Sequence, residues 1–312
     1  MTLAQLYALR SALPPLADGA PPTGDLMAFT RFYGLDFSGD FPDIDYAAGV
    51  VESGPYQLAA HRWQRPGARA NLLIVHGYMD HTGLYGNLVR FGLDQHFNVL
   101  IFDLPGHGLS TGAVASIDDF ADYGAAIAAV MGAADLPDSV PWRALAQSTG
   151  GAALVEFARR HPWPFQRTAL LAPLLRPAGW RQMRLARRLM APFVQDVPRR
   201  LSVNTGNADF LAFQRDDPLL TRRIPLAWIA ALERWLRGLV IEDLGVGPVL
   251  LVQGDNDGTV DWRWNLPRYR ELFPGSEVFM VPGAGHQLAN ETEMLRARYL
   301  AAVSDQFEVS AD

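Results

Sequence analysis

Ser148 has the strongest claim to chemistry in this chain. It stands in Ala146-Gln147-Ser148-Thr149-Gly150. Before it, Trp142 to Gln147 is a short apolar run that reads as a buried strand. After it, Thr149, Gly150, Gly151, Ala152 and Ala153 open a segment that reads as a helix. A serine at a sharp strand-to-helix turn is the pattern of a nucleophile elbow. Such a turn strains the serine backbone, so the residues two before and two after it must be nearly free of side chain. The usual form is G-x-S-x-G. Ala146 replaces the first glycine here, and is small enough to fit.

A nucleophilic serine needs a base, an orienting acid and donors for the developing oxyanion. The candidate base is His286, in Gly283-Ala284-Gly285-His286. His61 falls in an expected strand, His96 and His161 at helix ends, and His76 and His107 beside glycines as loop braces. His81 is a candidate substrate contact. The candidate acid lies in Gly254-Asp255-Asn256-Asp257-Gly258-Thr259-Val260-Asp261. Asp257 is preferred, with Val260 docking inward to anchor the loop, and Asp255 is its rival.

These groups need a scaffold. Asn71 to Val75, Phe97 to Phe102, Trp142 to Gln147, Arg167 to Ala172, Pro248 to Gln253 and Glu277 to Val281 read as buried strands. Helical segments lie between several of them, for example Leu84 to Gln95 and the stretch from Ile117 to Val130, and Glu291 to Phe307 reads as a closing helix. Residues 50–63 read as an early hairpin around Ser-Gly-Pro, and residues 1–50, rich in Pro and Gly, resist assignment. Alternating buried strands and helices predict an α/β fold with a mostly parallel sheet covered on both faces. In such sheets functional groups collect at the carboxyl ends of the strands, where each polar cluster above falls.

Leu174 to Leu244 breaks the alternation and reads as an inserted helical cap with no clear strand. The expected division is a first core part at 1–173, a cap at 174–245 and a second core part at 246–312. Between Arg176 and Arg200 the cap holds Arg176, Arg181, Arg184, Arg187, Arg188, Arg199 and Arg200 against one acid, Asp196. Trp180, Met183, Ala186, Met190 and Phe193 could form an apolar face beside them. That is the pattern of a basic amphipathic helix able to rest on an anionic lipid surface or admit an acyl chain, so Trp180 and Met183 are candidate substrate contacts. The plainer alternative is a cap helix packed on the core with a solvated arginine face.

Composition narrows the classes. The chain has 312 residues and is 49% hydrophobic, enough for a sizeable core. It has no cysteine, which excludes disulfides and thiolate metal sites. The net charge of −6 argues against general nucleic-acid affinity. All 27 basic residues other than histidine are arginine, a bias better ascribed to codon usage than to function. No signal peptide or membrane span is recognisable, so the expected location is the cytoplasm, peripherally at a membrane if the arginine-rich cap touches one.

The order Ser148, Asp257, His286, together with HGYMDHTGLY (76–85), DLPGHGLSTG (103–112), AQSTGG (146–151), GDNDGTVD (254–261) and GAGH (283–286), resembles the α/β-hydrolase superfamily. Within it, HGYMDHTGLY is similar to the H-G-x-x-[DE]-H-x-x-x-Y of the monoacylglycerol lipase and lysophospholipase group. The resemblance implies a serine hydrolase of acyl esters, with Ser148 as nucleophile, Asp257 as acid, His286 as base, and the backbone N–H groups of Tyr78 and Thr149 as oxyanion hole. It implies a monoacylglycerol, lysophospholipid or smaller ester as substrate, and no metal or organic cofactor. A thioesterase, a peptidase and a non-catalytic binding module are the alternatives. The oligomeric state is not legible.

Overall fold

The structure is a computed structural model that describes residues 1–19, 21, 23–199 and 202–308. Two helices come first, α1 (Leu3–Ala12) and α2 (Gly24–Phe32). The hairpin β1 (Asp45–Ser53) and β2 (Tyr56–Gln64) follows, then β3 (Asn71–Val75), α3 (Gly86–Asp94), β4 (Asn98–Phe102), α4 (Ala121–Ala133), β5 (Trp142–Gln147), α5 (Thr149–Arg160) and β6 (Phe165–Leu171). A long insertion carries α6 (Trp180–Met190), β7 (Asp196–Pro198), α7 (Ala208–Asp216), β8 (Arg223–Pro225) and α8 (Leu226–Gly238). The chain then returns through β9 (Leu250–Gly254), α9 (Trp262–Leu272), β10 (Glu277–Val281) and α10 (Glu293–Glu308).

Among the described residues, eight strands form one sheet in the order β1-β2-β4-β3-β5-β6-β9-β10. From β4 to β10 neighbouring strands run parallel, while β1 and β2 are antiparallel to their neighbours. Every residue of β3, β4 and β9 is buried. Their continuous apolar runs arise because helices cover both faces. Successive side chains alternate between two cores. Leu73 and Val75 join the one built with α4, α5, α8 and α9, and Leu72 and Ile74 join the one built with α1, α2, α3 and α10.

The first 50 residues, unassigned from sequence, build part of that second core. Leu6, Leu9, Leu26 and Phe29 pack with Trp63 of β2, and the ring of Phe29 stacks on His61 at 5.4 Å. Thr2 and Gln5 form a capping box at the start of α1. The insertion also differs from the expectation of a purely helical segment. β7 and β8 pair antiparallel through Asp196↔Pro225, Val197↔Ile224 and Pro198↔Arg223. Runs of three residues, each holding a proline, are too short to show a strand period.

The sheet sets up the turn at Ser148 by close packing of α5 against β3. A Cβ added at Gly150 would lie 2.3 Å from the Val75 carbonyl oxygen and 3.0 Å from that of His76. These are backbone atoms that cannot swing aside, so only glycine permits this approach. Ala146 is fully buried and paired between Val75 and Leu170. Its methyl group is accommodated in the strand.

Gly150→Ala is expected to destabilise the fold by about 3 kcal/mol, the upper end of the usual overpacking cost. Urea denaturation midpoints of the wild type and the variant check this, and an unchanged midpoint would contradict the packing argument.

Candidate active site

Ser148 follows the last residue of β5 and precedes the first of α5, with φ 53° and ψ −115°. Left-handed backbone of this kind is costly for a non-glycine residue. Met79 (φ 64°) and Ala172 (φ 45°) share it, one at the end of β3's loop and one just after β6. Strain thus gathers around one point at the carboxyl edge of the sheet.

Three side chains distant in sequence meet there. His286 Nε2 lies 3.0 Å from Ser148 Oγ, and His286 Nδ1 lies 2.9 Å from Asp257 Oδ2. All three residues are buried. Asp257 Oδ2 also accepts from Gln253 Nε2 at 3.0 Å. Its Oδ1 accepts from the backbone N–H groups of Thr259 at 2.7 Å and Val260 at 3.1 Å. Burial raises this carboxyl, but the His286 charge and the donated hydrogen bonds outweigh it and hold the group below its ordinary value. Val260 is buried, as expected of the residue that anchors the loop. Asp255 instead accepts from Gly283 N–H at 2.7 Å in an exposed turn, away from the imidazole.

Tyr78 and Thr149 line the same cavity as Ser148, and neither main-chain N–H donates a hydrogen bond to any described residue. Thr149 is the first residue of α5, where unpaired N–H groups and the helix dipole favour negative charge. The loop carrying Tyr78 is braced from several directions. Tyr85 Oη accepts from Gly77 N–H at 2.8 Å and donates to Asp80 Oδ2 at 2.9 Å. Gln287, next to His286, donates to Asp80 Oδ1 at 3.0 Å and bonds Gln147 beside Ser148. His76 Nε2 accepts from Leu104 N–H at 2.9 Å, and its Nδ1 faces the Gly77 carbonyl at 2.7 Å. Burial pushes His76 down to about 3 and His107 to about 4, so both stay neutral braces. Tyr78 itself stacks on Trp228 of α8, centroids 3.7 Å apart.

A cavity of about 210 Å3 opens onto Ser148 and His286, with Met183, Arg199, Asn204 and Trp228 among its lining. Of the candidate substrate contacts, Met183 lines it. Trp180 does not; it is buried in the core at the foot of α6. His81 does not either, which corrects the expectation placed on it. Its Nε2 lies 2.8 Å from Asp217 Oδ2 at the end of α7, and Tyr33 Oη donates to Asp217 Oδ1 at 2.8 Å. This buried cluster ties the Tyr78 loop to the insertion and to the N-terminal helices. Burial alone would lower His81, but Asp217 holds it above its ordinary value; Asp217 in turn is held below its own, against its burial, by His81. No local pattern announces Asp217 or Tyr33, because 136 and 184 residues separate the partners.

The arginines of α6 are also placed differently from a free basic face. Arg184, Arg187 and Arg188, with Arg237 of α8, converge on Glu233. Burial raises Glu233, yet the bonds from Arg187 and Arg184 bring it down to about 2. Arg176 pairs with Asp261 at 2.6 Å. Arg200 lies outside the described residues. Met190 and Phe193 of the expected apolar face are exposed, together with Leu185, Leu189 and Val194, whereas Trp180 and Met183 turn inward.

A mostly parallel sheet, an inserted cap and a strand-to-helix serine at the carboxyl edge define an α/β-hydrolase. The family Hydrolase_4, described as serine aminopeptidase S33, matches residues 66–293, and the chain belongs to that family. It is similar to phospholipase YtpA of Bacillus subtilis, 23% identical over 244 residues, covering 74% of this chain and 93% of that protein. Lysophospholipase L2 of Escherichia coli K12 is 26% identical over 276 residues, covering 75% of this chain and 77% of its own. Among solved structures, a monoglyceride lipase of Saccharomyces cerevisiae aligns with a TM-score of 0.69 at 17% identity, over 83% of this chain and 95% of that one. The resemblance read from the motifs is borne out. Among the described residues no helix is long and apolar enough to cross a membrane.

His81→Gln is expected to cost about 3–5 kcal/mol, the usual penalty for breaking a buried pair and leaving its partner charged. A raised His81 contributes fully below about pH 6.5, and that contribution is lost as pH rises through its raised value. The lowered Asp217 contributes above about pH 3.9, and its share is lost as pH falls through its lowered value. The stability gap between wild type and His81→Gln should therefore be widest between about pH 4 and pH 6.5 and close towards alkaline pH. Urea titrations across pH check it, and a gap independent of pH would contradict the ionic pair.

Proposed function

We propose that this protein is a serine hydrolase of carboxylic esters, acting on a lipid ester of the monoacylglycerol or lysophospholipid kind. The observation that carries the reading is the hydrogen-bonded line from Ser148 through His286 to Asp257, set beside two undirected amides in a buried cavity. The names of the similar proteins (phospholipase, lysophospholipase and monoglyceride lipase) support the substrate class.

In this reading Ser148 Oγ attacks the ester carbonyl while His286 Nε2 takes its proton. Asp257, held anionic by its four hydrogen bonds, fixes the ring and stabilises the imidazolium. The carbonyl oxygen, now negative, is received by Tyr78 N–H and Thr149 N–H. One such donor is typically worth about 3 kcal/mol of transition-state stabilisation. His286 then protonates the leaving alcohol. Water repeats the sequence on the acyl-enzyme and frees the acid.

The family description also raises an aminopeptidase. That activity calls for an anionic group to hold a free α-amine. The acid lining the cavity, Asp80, is already engaged by Gln287 and Tyr85, and the cavity also presents a guanidinium, which favours the ester. The exposed Leu185, Leu189 and Phe193 beside Arg181 support peripheral contact of α6 with a lipid surface.

A fluorophosphonate probe should label the wild type at Ser148 and leave Ser148→Ala unlabelled; labelling that survives the substitution would sink the assignment. Asp257→Asn should lower kcat on p-nitrophenyl esters by about 10³–10⁴-fold, the scale seen when the orienting acid of a triad is lost. Asp255→Asn should change it by less than about threefold, since that residue braces a surface turn. Equal losses in the two variants would contradict the roles given to them.

A further inference from the structure

The cavity beside Ser148 is not uniformly apolar. Leu174, Met183, Ile224 and Ile229 supply greasy wall, whereas Arg199, Ser202 and Asn204 bring polar groups from a single strip of the insertion. That strip is built into the site. The Asn204 carbonyl accepts from Gln287 N–H at 2.9 Å. A Cβ on Gly285 would lie 2.3 Å from the same carbonyl oxygen, so the strip runs hard against the loop that carries His286. Thr205 Oγ1 donates to the Asn290 carbonyl at 3.1 Å, and Gly206 N–H donates to Glu291 at 2.9 Å.

Arg199 is the unusual member. It is half-buried, and its backbone N–H is fixed to the Arg222 carbonyl at 2.9 Å. Among the described residues its guanidinium makes one long bond, from Nη1 to the Thr221 carbonyl at 3.3 Å. Among the described residues it forms no ion pair, unlike Arg176, Arg184, Arg187 and Arg188 of the same insertion. It feels the field of Asp80, but the oxygens of that carboxylate are taken by Tyr85 and Gln287. Burial lowers Arg199 from its ordinary value, yet an arginine stays charged at neutral pH. Asn204 adds a buried side-chain oxygen with no partner among the described residues; amide oxygen and nitrogen exchange places by a simple flip, so the group can turn a donor into the cavity. A part-desolvated guanidinium with most of its five donors unspent is matched by a phosphate or carboxylate.

We propose that Arg199, assisted by Asn204, forms an anion subsite in the catalytic cavity, so that the preferred substrates are acyl esters carrying a phosphate or carboxylate close to the scissile bond. This rests on the ester-hydrolase reading above and narrows it, away from neutral glycerides. The acyl part lies against the apolar wall, and the charged group reaches the guanidinium.

Two matched pairs of substrates test this near pH 8. One pair is hexanoyl-glycerol against hexanoyl-glycerol phosphate. The other is the methyl ester of a monocarboxylic acid against the monomethyl ester of the dicarboxylic acid of equal length. The wild type should favour the anionic member of one pair by at least about tenfold in kcat/KM, the worth of a hydrogen bond to a charged group. The pair that shows it tells phosphate from carboxylate. Arg199→Gln should bring that ratio down by at least about tenfold, mainly through KM, with Arg199→Lys falling between and Asn204→Ala showing a smaller drop. Wild-type ratios below about twofold in both pairs, or ratios unmoved in Arg199→Lys and Asn204→Ala even where Arg199→Gln fails to fold, would overturn the subsite. Should the wild type hydrolyse no ester at all, including p-nitrophenyl acetate, the ester reading fails separately. Calorimetric binding of glycerol phosphate and glutarate to Ser148→Ala then decides the subsite. Binding that weakens at least about tenfold in the Ser148→Ala, Arg199→Gln double variant upholds it, and no binding of either probe, or binding unmoved by the second substitution, overturns it.

Discussion

The site depends on one strained residue held from all sides. Ser148 keeps a backbone conformation that an isolated L-residue avoids, at a cost on the order of 1–3 kcal/mol. Its N–H donates to the Leu171 carbonyl at 2.9 Å, and its carbonyl accepts from Gly151 at 2.9 Å and Leu174 at 3.0 Å. The first two bonds tie the turn to β6 and α5, and the third ties it to the first residues of the insertion. Gly150 lets α5 close onto β3. The sheet and helix together outweigh the strain and leave the hydroxyl standing at a helix N-terminus, facing His286. A relaxed turn would point it elsewhere and separate it from both amides.

The strands that make this possible were legible because burial on both faces writes itself as unbroken apolar runs, as in Asn71–Val75 and Asn98–Phe102. Ser148 and His286 were legible because glycines crowd them and because they fall at strand ends. Asp255 and Asp257 could not be separated by pattern. They share one turn, and only its path decides which carboxylate faces the ring. The N-terminal helices were hidden by short length and frequent prolines. The partners of His81 were hidden for a different reason, since tertiary pairing across the whole core leaves no local signal.

The arginine-rich stretch shows how charge along a sequence can mislead about exposure. The acid that organises it, Glu233, comes from a separate helix some 45 residues on from Arg188. Four guanidiniums around one carboxylate leave the patch positive while fixing α6 to α8. Of the apolar side chains that helical spacing singled out, Met190 and Phe193 remain outside, joined by Leu185 and Leu189, whereas Trp180 and Met183 turn inward. Arg199, a few residues further on, is set apart only by its place in the cavity beside Ser148, which sequence spacing does not show.

Trp228 belongs to the insertion, and Tyr78 to the loop after β3 that runs beside Ser148; their rings lie nearly flat against each other, 14° from parallel. The cap and the rim of the cavity therefore meet at one aromatic joint. A tilt of α8 has to peel the indole from the phenol, so any movement of the insertion is coupled through this stack to the loop after β3.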